Sequence, residues 1–531
     1  MELKHENIHE YMEKCNNKLQ ITLDDDFNVS DNKPDIENVV KEWGEVVIDG
    51  VKTGQEKAVV DGMLHFSMLY IGKRESDDRR VPIRMEGKIH FSENVNLSCE
   101  AKDAQVSCKA YIEDITIKTI NSRKISVKAI VSLNVICEEL DNVRVVTGVV
   151  DEECNPQILH RNFEYLQMAV NMKDNLRIRE NISLPAGKPN IGEIIWDDIS
   201  LRNVNTRITD EGLGVSGDLN IFIMYMESGE GQSVQWYETT VPFTGNVDIS
   251  GCNPDCICYV AAEVRDKSIE PKADYDGEMR DVALEMALDM DIKAYEECNK
   301  QAVEDMYYPC KDLKLSKTEK NLHKLVVRNN SRCRVSGNLK VEDYISMMQI
   351  VNSTASVIID DYTKDKDGLM IYGAVMVNVL YMTSDDASPM GSVGTVIPFS
   401  NKIEYGNCNP ENVDYRVIGN VDQLQTSMSG NNQVDIKAVV SLDALIMENM
   451  NIEVIDECEV CDIDKEDYAK LPSMVGYMAD GRSNLWNVAK RYHTTCDKIR
   501  SGNPKAAEHL KDWDMVSKGT KLLLVKCSES I

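Results

Sequence analysis

The sequence predicts a mainly β protein, in which three tandem β-rich modules, sandwich-like or barrel-like, are joined by short helices and followed by a small C-terminal βααβ domain. The first observation behind this prediction is a segment that begins with Gly, ends with Tyr eight places later and recurs at 62–70, 217–225 and 373–381. In each copy, apolar residues stand two, four and six places after the Gly, which is the period-2 pattern of a β-strand. The copies lie 155 and 156 residues apart, so the chain repeats one large module.

Further landmarks recur with this segment. A Pro stands twenty-eight places before the Gly in the first two copies, at Pro34 and Pro189. After the Tyr, each copy has a hydrophobic–Pro–hydrophobic triplet, centred on Pro82, Pro242 and Pro398. A long alternating stretch then closes each module, at 125–135, 282–292 and 434–444. Strand formers punctuated by Gly, Asn, Asp and Pro favour an antiparallel sandwich or barrel, whose strand order the sequence leaves open.

The boundaries follow from the repeat and from the segments between its copies. The N-terminus has the pattern of a short amphipathic helix, and helical bridges are expected at 159–173 and 318–327. The expected division is an N-terminal helix at 1–20, modules at 21–153, 159–300 and 315–456, a charged linker at 457–473 and the C-terminal domain at 474–527. These module sizes are ordinary for folded domains.

The C-terminal domain has a different pattern from the modules. A short strand is predicted near Tyr477, and 485–492 has the helical spacing of a segment that buries one face. Thr495 and the Thr before it offer an N-cap for a second helix, which ends before Pro504. A closing strand is predicted at 521–525, which completes the βααβ order.

Charge and composition exclude some classes of function. The net charge of −30 argues against broad nucleic-acid binding, which needs a basic surface. The residues from 474 onward carry ten Lys and Arg against six Asp and Glu, so a basic C-terminal domain follows an acidic array. There is no signal-peptide pattern and no apolar run long enough to span a membrane, and sixteen cysteines then indicate reduced thiols in a cytoplasm. We therefore expect a cytoplasmic protein without membrane insertion.

Short motifs give little reason to expect an enzyme. His5, Glu6 and His9 match the HExxH pattern of zinc proteases, but they stand at the extreme N-terminus, where a surface helix is the better interpretation. Gly212, Gly214 and Gly217 match a dinucleotide fingerprint but lead into a strand, so they are interpreted as a turn.

Two groups of cysteines could bind zinc, and neither has the four ligands of a structural site: Cys458 with Cys461, and Cys252 with Cys256 and Cys258. Ordinary loop thiols are the preferred interpretation. We also find no phosphate loop, nucleophile elbow or believable catalytic triad. No catalytic residue, metal or cofactor is therefore expected.

The C-terminal domain resembles the LysM family. The matching positions are Tyr477, Leu485, Trp486, Ala489, Tyr492, Ile499, Asn503, Pro504, Gly519 and Leu522. The resemblance implies a βααβ fold and binding of N-acetylglucosamine polymers through loops. The partner-binding or glycan-binding residues it implies are Asp480, Gly481, Arg482, Ser483, Asn484, Lys490, Asn503 and Pro504. This chain has Arg482, Ser483 and Asn484 where the family usually has Gly-Asp-Thr, and its segment from Pro504 to Gly519 is longer than is common.

The repeated module resembles the SPOCS domain of spore-forming Firmicutes, whose Lys-Pro-Asp-Ile opening appears here at 33–36. Three such modules followed by one LysM domain is the layout of clostridial spore-coat morphogenesis proteins of the SipL type, functional counterparts of SpoVID. The resemblance implies a mother-cell protein that encases the forespore with coat. It also implies as partners the basement-layer ATPase SpoIVA and other coat proteins.

Two functions from different classes remain open after the sequence. The first is a non-enzymatic scaffold or adaptor that recruits coat proteins by protein–protein contacts, with the LysM domain as its docking part. The alternative is a protein that binds peptidoglycan through the LysM domain and acts on the spore cortex or the cell wall. The absence of an export signal favours the scaffold.

Overall fold

The computed structural model describes residues 1–74, 78–101, 104–151, 155–229, 233–341, 347–406, 408–430, 432–463 and 465–527. The fold is mainly β and is built from repeated modules, as predicted. The strands of the first module are β1 Glu2–Asn28, β2 Ile36–Thr53, β3 Lys57–Lys73, β4 Arg80–Asn96, β5 Gln105–Asn121 and β6 Lys124–Val150. Those of the second are β7 Gln157–Ser183, β8 Ile191–Thr209, β9 Gly212–Glu227, β10 Val234–Val247, β11 Ile257–Ala273 and β12 Met279–Tyr307. Those of the third are β13 Asp312–Lys340, β14 Met347–Lys364, β15 Gly368–Thr383, β16 Met390–Glu404, β17 Val413–Ser429 and β18 Gln433–Cys461, with a short 3₁₀ helix at Pro410–Asn412.

Each module is a sandwich of two three-stranded antiparallel sheets. In the first module the sheets have the orders β1-β6-β5 and β2-β3-β4, and the other two modules repeat both orders. The recurring Gly-to-Tyr segment lies in the central strand of one sheet, and the long closing stretch is the central strand of the other. The inward-facing residues of these two strands form the apolar core of each module.

The recurring residues have identifiable structural roles. The hydroxyl of Tyr70 donates to the carbonyl of Pro34 over 3.0 Å, and that of Tyr225 donates to the carbonyl of Pro189 over 3.1 Å. These bonds tie the extended arm that enters each module to its central strand. A phenylalanine ring from the next strand lies across each recurring glycine, where a Cβ would come within 3.0 Å of it; the pairs are Gly62 with Phe91, Gly217 with Phe243 and Gly373 with Phe399.

One expected correspondence between the copies is wrong. Pro242 and Pro398 lie opposite the residue that follows the recurring Gly, whereas Pro82 lies opposite Ile71, beyond the recurring Tyr. The triplet around Pro82 is therefore not the structural counterpart of the other two. The sequence resemblance misled because any apolar strand supplies similar triplets.

The prediction of helices at 1–20, 159–173 and 318–327 is also wrong. These segments lie in strands β1, β7 and β13. Each pairs along its length with the closing strand of its own module, β6, β12 or β18. A partner more than a hundred residues away thus overrides the local helical spacing of apolar residues. The short helices expected between modules are absent from the described residues, and the first module begins at Glu2 rather than at residue 21.

The three modules pack around a common centre rather than as a linear array. Lys41, Trp196 and Asn352 occupy the same position in the three copies, and all three donate to Oδ2 of Asp198, over 3.1, 3.1 and 2.7 Å. Apolar residues at two further equivalent positions join the same cluster: Val40, Ile195 and Val351, and Leu69, Met224 and Leu380. Equivalent positions can meet in this way only if the modules close on one another.

A second junction of the three modules is ionic. Glu138 of the first module accepts from Lys293 of the second over 2.6 Å and from Arg416 of the third over 2.9 Å. Burial alone would raise the pKa of Glu138, but the two cations together lower it below its ordinary value. Burial and the neighbouring Arg416 lower the pKa of Lys293. The contact therefore joins the closing strands β6 and β12 of two modules to β17 of the third.

The C-terminal domain contains strands β19 Met474–Met478 and β20 Lys521–Val525, which form an antiparallel pair. Between them lie helices α2 Leu485–Arg491, α3 Cys496–Gly502 and α4 Pro504–Ala507. The expected βααβ order is therefore present, with one additional short helix. The segment expected to be a linker contains the end of β18 and a helix, α1 Lys465–Lys470, because Cys461 still pairs with Asp312 at the start of β13. Among the described residues, no helix is both long and apolar enough to cross a membrane.

Candidate docking surface on the C-terminal domain

Two loops of the C-terminal domain lie side by side. The first, 479–484, joins β19 to α2, and the second, 508–520, joins α4 to β20. Backbone N–H groups link them: Val516 donates to the carbonyl of Ser483 over 3.1 Å, and Trp486 donates to the carbonyl of Asp512 over 2.8 Å. The loops therefore form one continuous surface, held by the backbone at the start of α2.

The second loop exposes large apolar side chains. Trp513 is 56% exposed and Met515 is 53% exposed, so the loop presents apolar area to solvent. The ammonium of Lys511 lies 5.5 Å from the centre of the Trp513 ring. Lys518 lies against Gly481 of the first loop, next to the exposed Arg482.

We call the exposed side chains Arg482, Lys511, Trp513, Met515 and Lys518 the basic aromatic surface. An exposed Trp with a cation against its ring is the kind of anchor that binding interfaces use, because it offers apolar area and charge together. Its three cations would favour an acidic ligand.

The binding residues predicted from the sequence have several different roles in the structure. Asp480 accepts from the backbone N–H of Arg482 over 2.8 Å, and Gly481 has a φ of +79°, so these two shape the turn. The side chain of Asn484 accepts from the backbone N–H of Asn487 over 2.8 Å and caps the N-terminus of α2. Arg482 remains exposed beside the half-buried Ser483.

Two of the singled-out residues lie outside the two loops, where α3 meets α4. The side chain of Asn503 bonds to both backbone groups of Leu523, over 2.8 and 2.7 Å, and so holds α3 against β20. Pro504 starts α4, where its missing N–H costs nothing. The geometry of Asn503 is that of a structural residue.

Lys490 lies at a contact with the second module. Its ammonium donates to both carboxylate oxygens of Asp305 on β12, over 2.8 and 2.9 Å. Trp486, which the helical spacing placed in the core, is buried, and its indole N–H donates to the same carboxylate over 2.8 Å. Asp305 thus holds α2 by two side chains.

Apolar contacts surround this carboxylate. The ring of Tyr307, at the end of β12, packs edge-on against the ring of Trp486 with their centres 4.8 Å apart. Its hydroxyl donates to the carbonyl of Thr494 over 2.9 Å, and burial raises its pKa well above the ordinary value. Leu159 of β7 joins the core of the C-terminal domain. The domain is therefore docked on the end of the long β7–β12 pair.

Sequence reasoning missed Lys511, Trp513, Met515 and Lys518. The available signal was the long segment between Pro504 and Gly519, which contains a Trp without any helical or strand periodicity to bury it. The partner Asp305 could not be found from the sequence, because it lies 185 residues from Lys490 and depends on how the domains pack.

The other motifs do not assemble a catalytic site. His5 and His9 lie on strand β1 rather than on a helix, His9 contacts Asn142, and Glu6 pairs with Lys300 of the second module. The expected surface helix is wrong for the same reason as the rest of β1. Gly212 has a φ of +121° and opens strand β9, as the turn interpretation requires.

Comparison with known proteins gives one family. The protein-family model described as SipL, SPOCS domain matches the chain three times, at 35–120, 190–272 and 346–429. Each match covers the second to the fifth strand of one module. No curated protein and no solved structure matches the chain.

Proposed function

We propose that this chain, which is a SipL-like protein with three SPOCS domains, acts as a non-enzymatic scaffold in spore coat assembly. The threefold match supports a role in sporulation and the coat. The closed arrangement of the modules suits a scaffold, because it turns one polypeptide into a rigid body with several outer surfaces. Weak contacts made by such linked surfaces reinforce one another through effective concentration.

The C-terminal domain, as a LysM domain, is the part that we propose docks the scaffold on its partner. The observation that carries this proposal is the basic aromatic surface, where Trp513 and Met515 are exposed and Lys511 lies against the Trp513 ring. The partner that fits is an acidic protein surface with an apolar pocket, and the coat basement-layer ATPase SpoIVA is the expected candidate. Other coat proteins would then bind the outer faces of the SPOCS domains, and the protein would act at the forespore surface in the mother cell.

Peptidoglycan is the alternative ligand, because sugar binding is common among LysM domains. The long side chain of Arg482 in the first loop makes close backbone approach to an acetamido group harder than a glycine would. The cations also favour a charged partner over a neutral sugar. We therefore place protein docking before glycan binding.

The test is a pull-down of purified SpoIVA by the full chain, run beside a sedimentation assay with purified peptidoglycan. The variants are Trp513→Ala and the double reversal Arg482→Glu with Lys518→Glu, and the matched control is Lys505→Glu on α4, an exposed cation outside the two loops. Both surface variants should weaken SpoIVA binding at least tenfold while the control binds normally. Higher salt should weaken the wild-type complex as well.

Two results would overturn docking through this surface. One is SpoIVA binding that is unchanged in both surface variants. The other is strong sedimentation with peptidoglycan that Trp513→Ala abolishes while SpoIVA binding persists, which would favour the glycan alternative. Thermal melts of each variant establish that the C-terminal domain is still folded.

A further inference from the structure

Three cysteines of the first module converge on one point. Cys15 on β1 and Cys137 on β6 are direct partners across the antiparallel pair. Cys99 reaches the same place from the loop between β4 and β5, and the three Sγ atoms all lie within 4.8 Å of one another. Because the three residues are far apart in sequence, no spacing motif predicts this cluster.

The loop that carries Cys99 is fixed on both sides. The backbone N–H of Leu97 donates to the carbonyl of Glu56 over 2.9 Å, and that of Ala101 donates to the carbonyl of Gln55 over 3.0 Å. The side chain of Asn17, two places from Cys15, accepts from the backbone N–H of Ser98 over 3.4 Å. The backbone therefore presents Cys99 to the strand pair without needing a bond between the sulfurs.

The same convergence does not arise in the other modules as far as they are described. The corresponding loops also carry a cysteine, at Cys252 and Cys408. At the strand position of Cys137, however, they have Ala294 and Ile446, which are ordinary core residues. Among the described residues, only the first module places two thiols on the strands beneath the thiol of the loop.

The cluster is a poor environment for anions that lack a counterion. Cys137 is fully buried and Cys15 is 7% exposed. Burial and the two neighbouring thiols raise the pKa of Cys99 to about 12, so the free site holds thiols. A bound divalent cation reverses this balance, because coordination deprotonates a thiol outright.

We propose that Cys15, Cys99 and Cys137 bind one Zn²⁺ ion as three thiolates, with a fourth position left for water or an exogenous ligand. Zn–S bonds of about 2.3 Å place tetrahedral sulfurs nearly 4 Å apart, so the cluster needs only small side-chain movements to close on the ion. Binding converts three S–H groups into three Zn–S bonds and releases three protons to the buffer. Affinity should therefore fall as the pH is lowered.

The experiment uses the full chain, purified with reductant, stripped of metal and then titrated with Zn²⁺ or Co²⁺. The expected result is one zinc ion retained per chain after gel filtration, and a cobalt adduct with intense thiolate-to-metal charge-transfer absorption. Cys99→Ser should lower the affinity at least tenfold. The matched control Cys108→Ser, on the adjacent strand β5 and outside the cluster, should bind as the wild type does.

Three results of the metal titrations would overturn the proposal. They are no binding by the reduced wild type, equal binding by Cys99→Ser, and a zinc ion that is lost only when Cys458 and Cys461 are replaced. The wild-type cobalt spectrum is an independent measure of the number of thiolates should Cys99→Ser fail to fold. A disulfide between two of the three cysteines, found by mass mapping together with no metal binding after reduction, would also overturn it.

Discussion

At the scale of single residues, His323 joins the first and third modules. One ring nitrogen contacts Glu10 of β1, and the other lies 3.1 Å from a carboxylate oxygen of Asp414 on β17. Burial opposes the charged imidazolium, but the two carboxylates outweigh it and raise the pKa of His323 to about 9, from 6.5 for a free side chain. Because the folded pKa is the higher one, the protonated ring stabilises the fold fully below pH 6.5, and this contribution is lost as the pH rises through about 9.

We therefore expect the free energy of unfolding to fall between pH 6.5 and pH 9.5, by at most about 3 kcal/mol from this group. Urea unfolding at both pH values measures it, with His323→Gln as the comparison, since glutamine keeps hydrogen bonds but does not titrate. The loss with pH should be distinctly smaller in the variant. Parallel pH profiles for the two proteins would contradict this role of His323.

Neighbouring carboxylates on β6 make a second residue-scale test. Glu138 is buried against Lys293 and Arg416, whereas Glu139 makes a half-exposed ion pair with Lys14 over 3.3 Å. Glu138→Ala leaves the buried Lys293 and the half-buried Arg416 without their counterion and should lower the free energy of unfolding by about 3–5 kcal/mol. Glu139→Ala should cost less than about 1 kcal/mol. Chemical denaturation compares the two variants, and similar losses would show that the three-module ionic junction contributes little.

At the scale of elements, the recurring segment is predicted to be the part of each module that tolerates charge least. Ile223 is 2% exposed at the centre of β9 and points into the core of the second module. Ile223→Asp would bury an unpaired carboxylate and should cost several kcal/mol. Val396→Asp is the matched control, since Val396 lies on β16 but is 59% exposed. Thermal melts should show a large loss for the first variant and almost none for the second, and equal losses would contradict the assignment of the buried face.

The sequence was informative about elements where a strand buries one face of its own module. The alternation in β3, β9 and β15 is visible because every second residue enters a sandwich core. β1, β7 and β13 were misread as partly helical, because part of each strand packs on other modules rather than in its own sandwich. Ile8 and Leu322, for example, lie in one cluster with Tyr165, so their spacing reflects contacts among three modules. Such contacts follow no local period.

At the scale of the whole molecule, the repeat predicted how many modules there are but not that they close. The packing of the three modules around a common centre depends on residues that differ between the copies, as Lys41, Trp196 and Asn352 do. A repeat is recognised from the positions that are similar in all copies, so these residues are not noticed. The basic aromatic surface could not be predicted from the sequence for a related reason, since the fold, and not the residue type, decides which side chains are exposed. The loop around Arg482 could be located because the positions that follow it, Leu485 and Trp486, carry a family resemblance.

Closure predicts that the modules unfold together. Asp198 receives hydrogen bonds from all three, and Asp198→Ala would leave the buried ammonium of Lys41 without its counterion. The variant should lose about 3–5 kcal/mol, and the whole three-module body should melt at a lower temperature as one transition. Differential scanning calorimetry of wild type and variant provides the test, with Asp218→Ala, a half-buried carboxylate in the same sheet, as the control. Three separate transitions, of which only one shifts, would contradict a cooperative body.

The contact of the C-terminal domain with β12 gives the last prediction. Asp305 holds both Trp486 and Lys490, and its loss leaves the buried indole N–H unsatisfied, at about 1–3 kcal/mol. Since 1.4 kcal/mol is a tenfold change in an equilibrium constant, Asp305→Ala should raise the undocked population of the C-terminal domain roughly five- to a hundredfold.

Hydrogen exchange measures this population, because undocking exposes Tyr307 and the end of β12 while leaving the basic aromatic surface unchanged. Hydrogen exchange of the backbone amides in the last residues of β12 should be faster in Asp305→Ala than in the wild type. The control is Asp312→Ala, which removes an exposed carboxylate at the start of β13 and should leave these rates unchanged. Binding of SpoIVA should stay within about twofold of the wild type, because the docked domain already presents Trp513 to solvent. A large gain in SpoIVA binding on undocking would instead place the partner on the face that Asp305 covers, the face of Trp486 and Lys490.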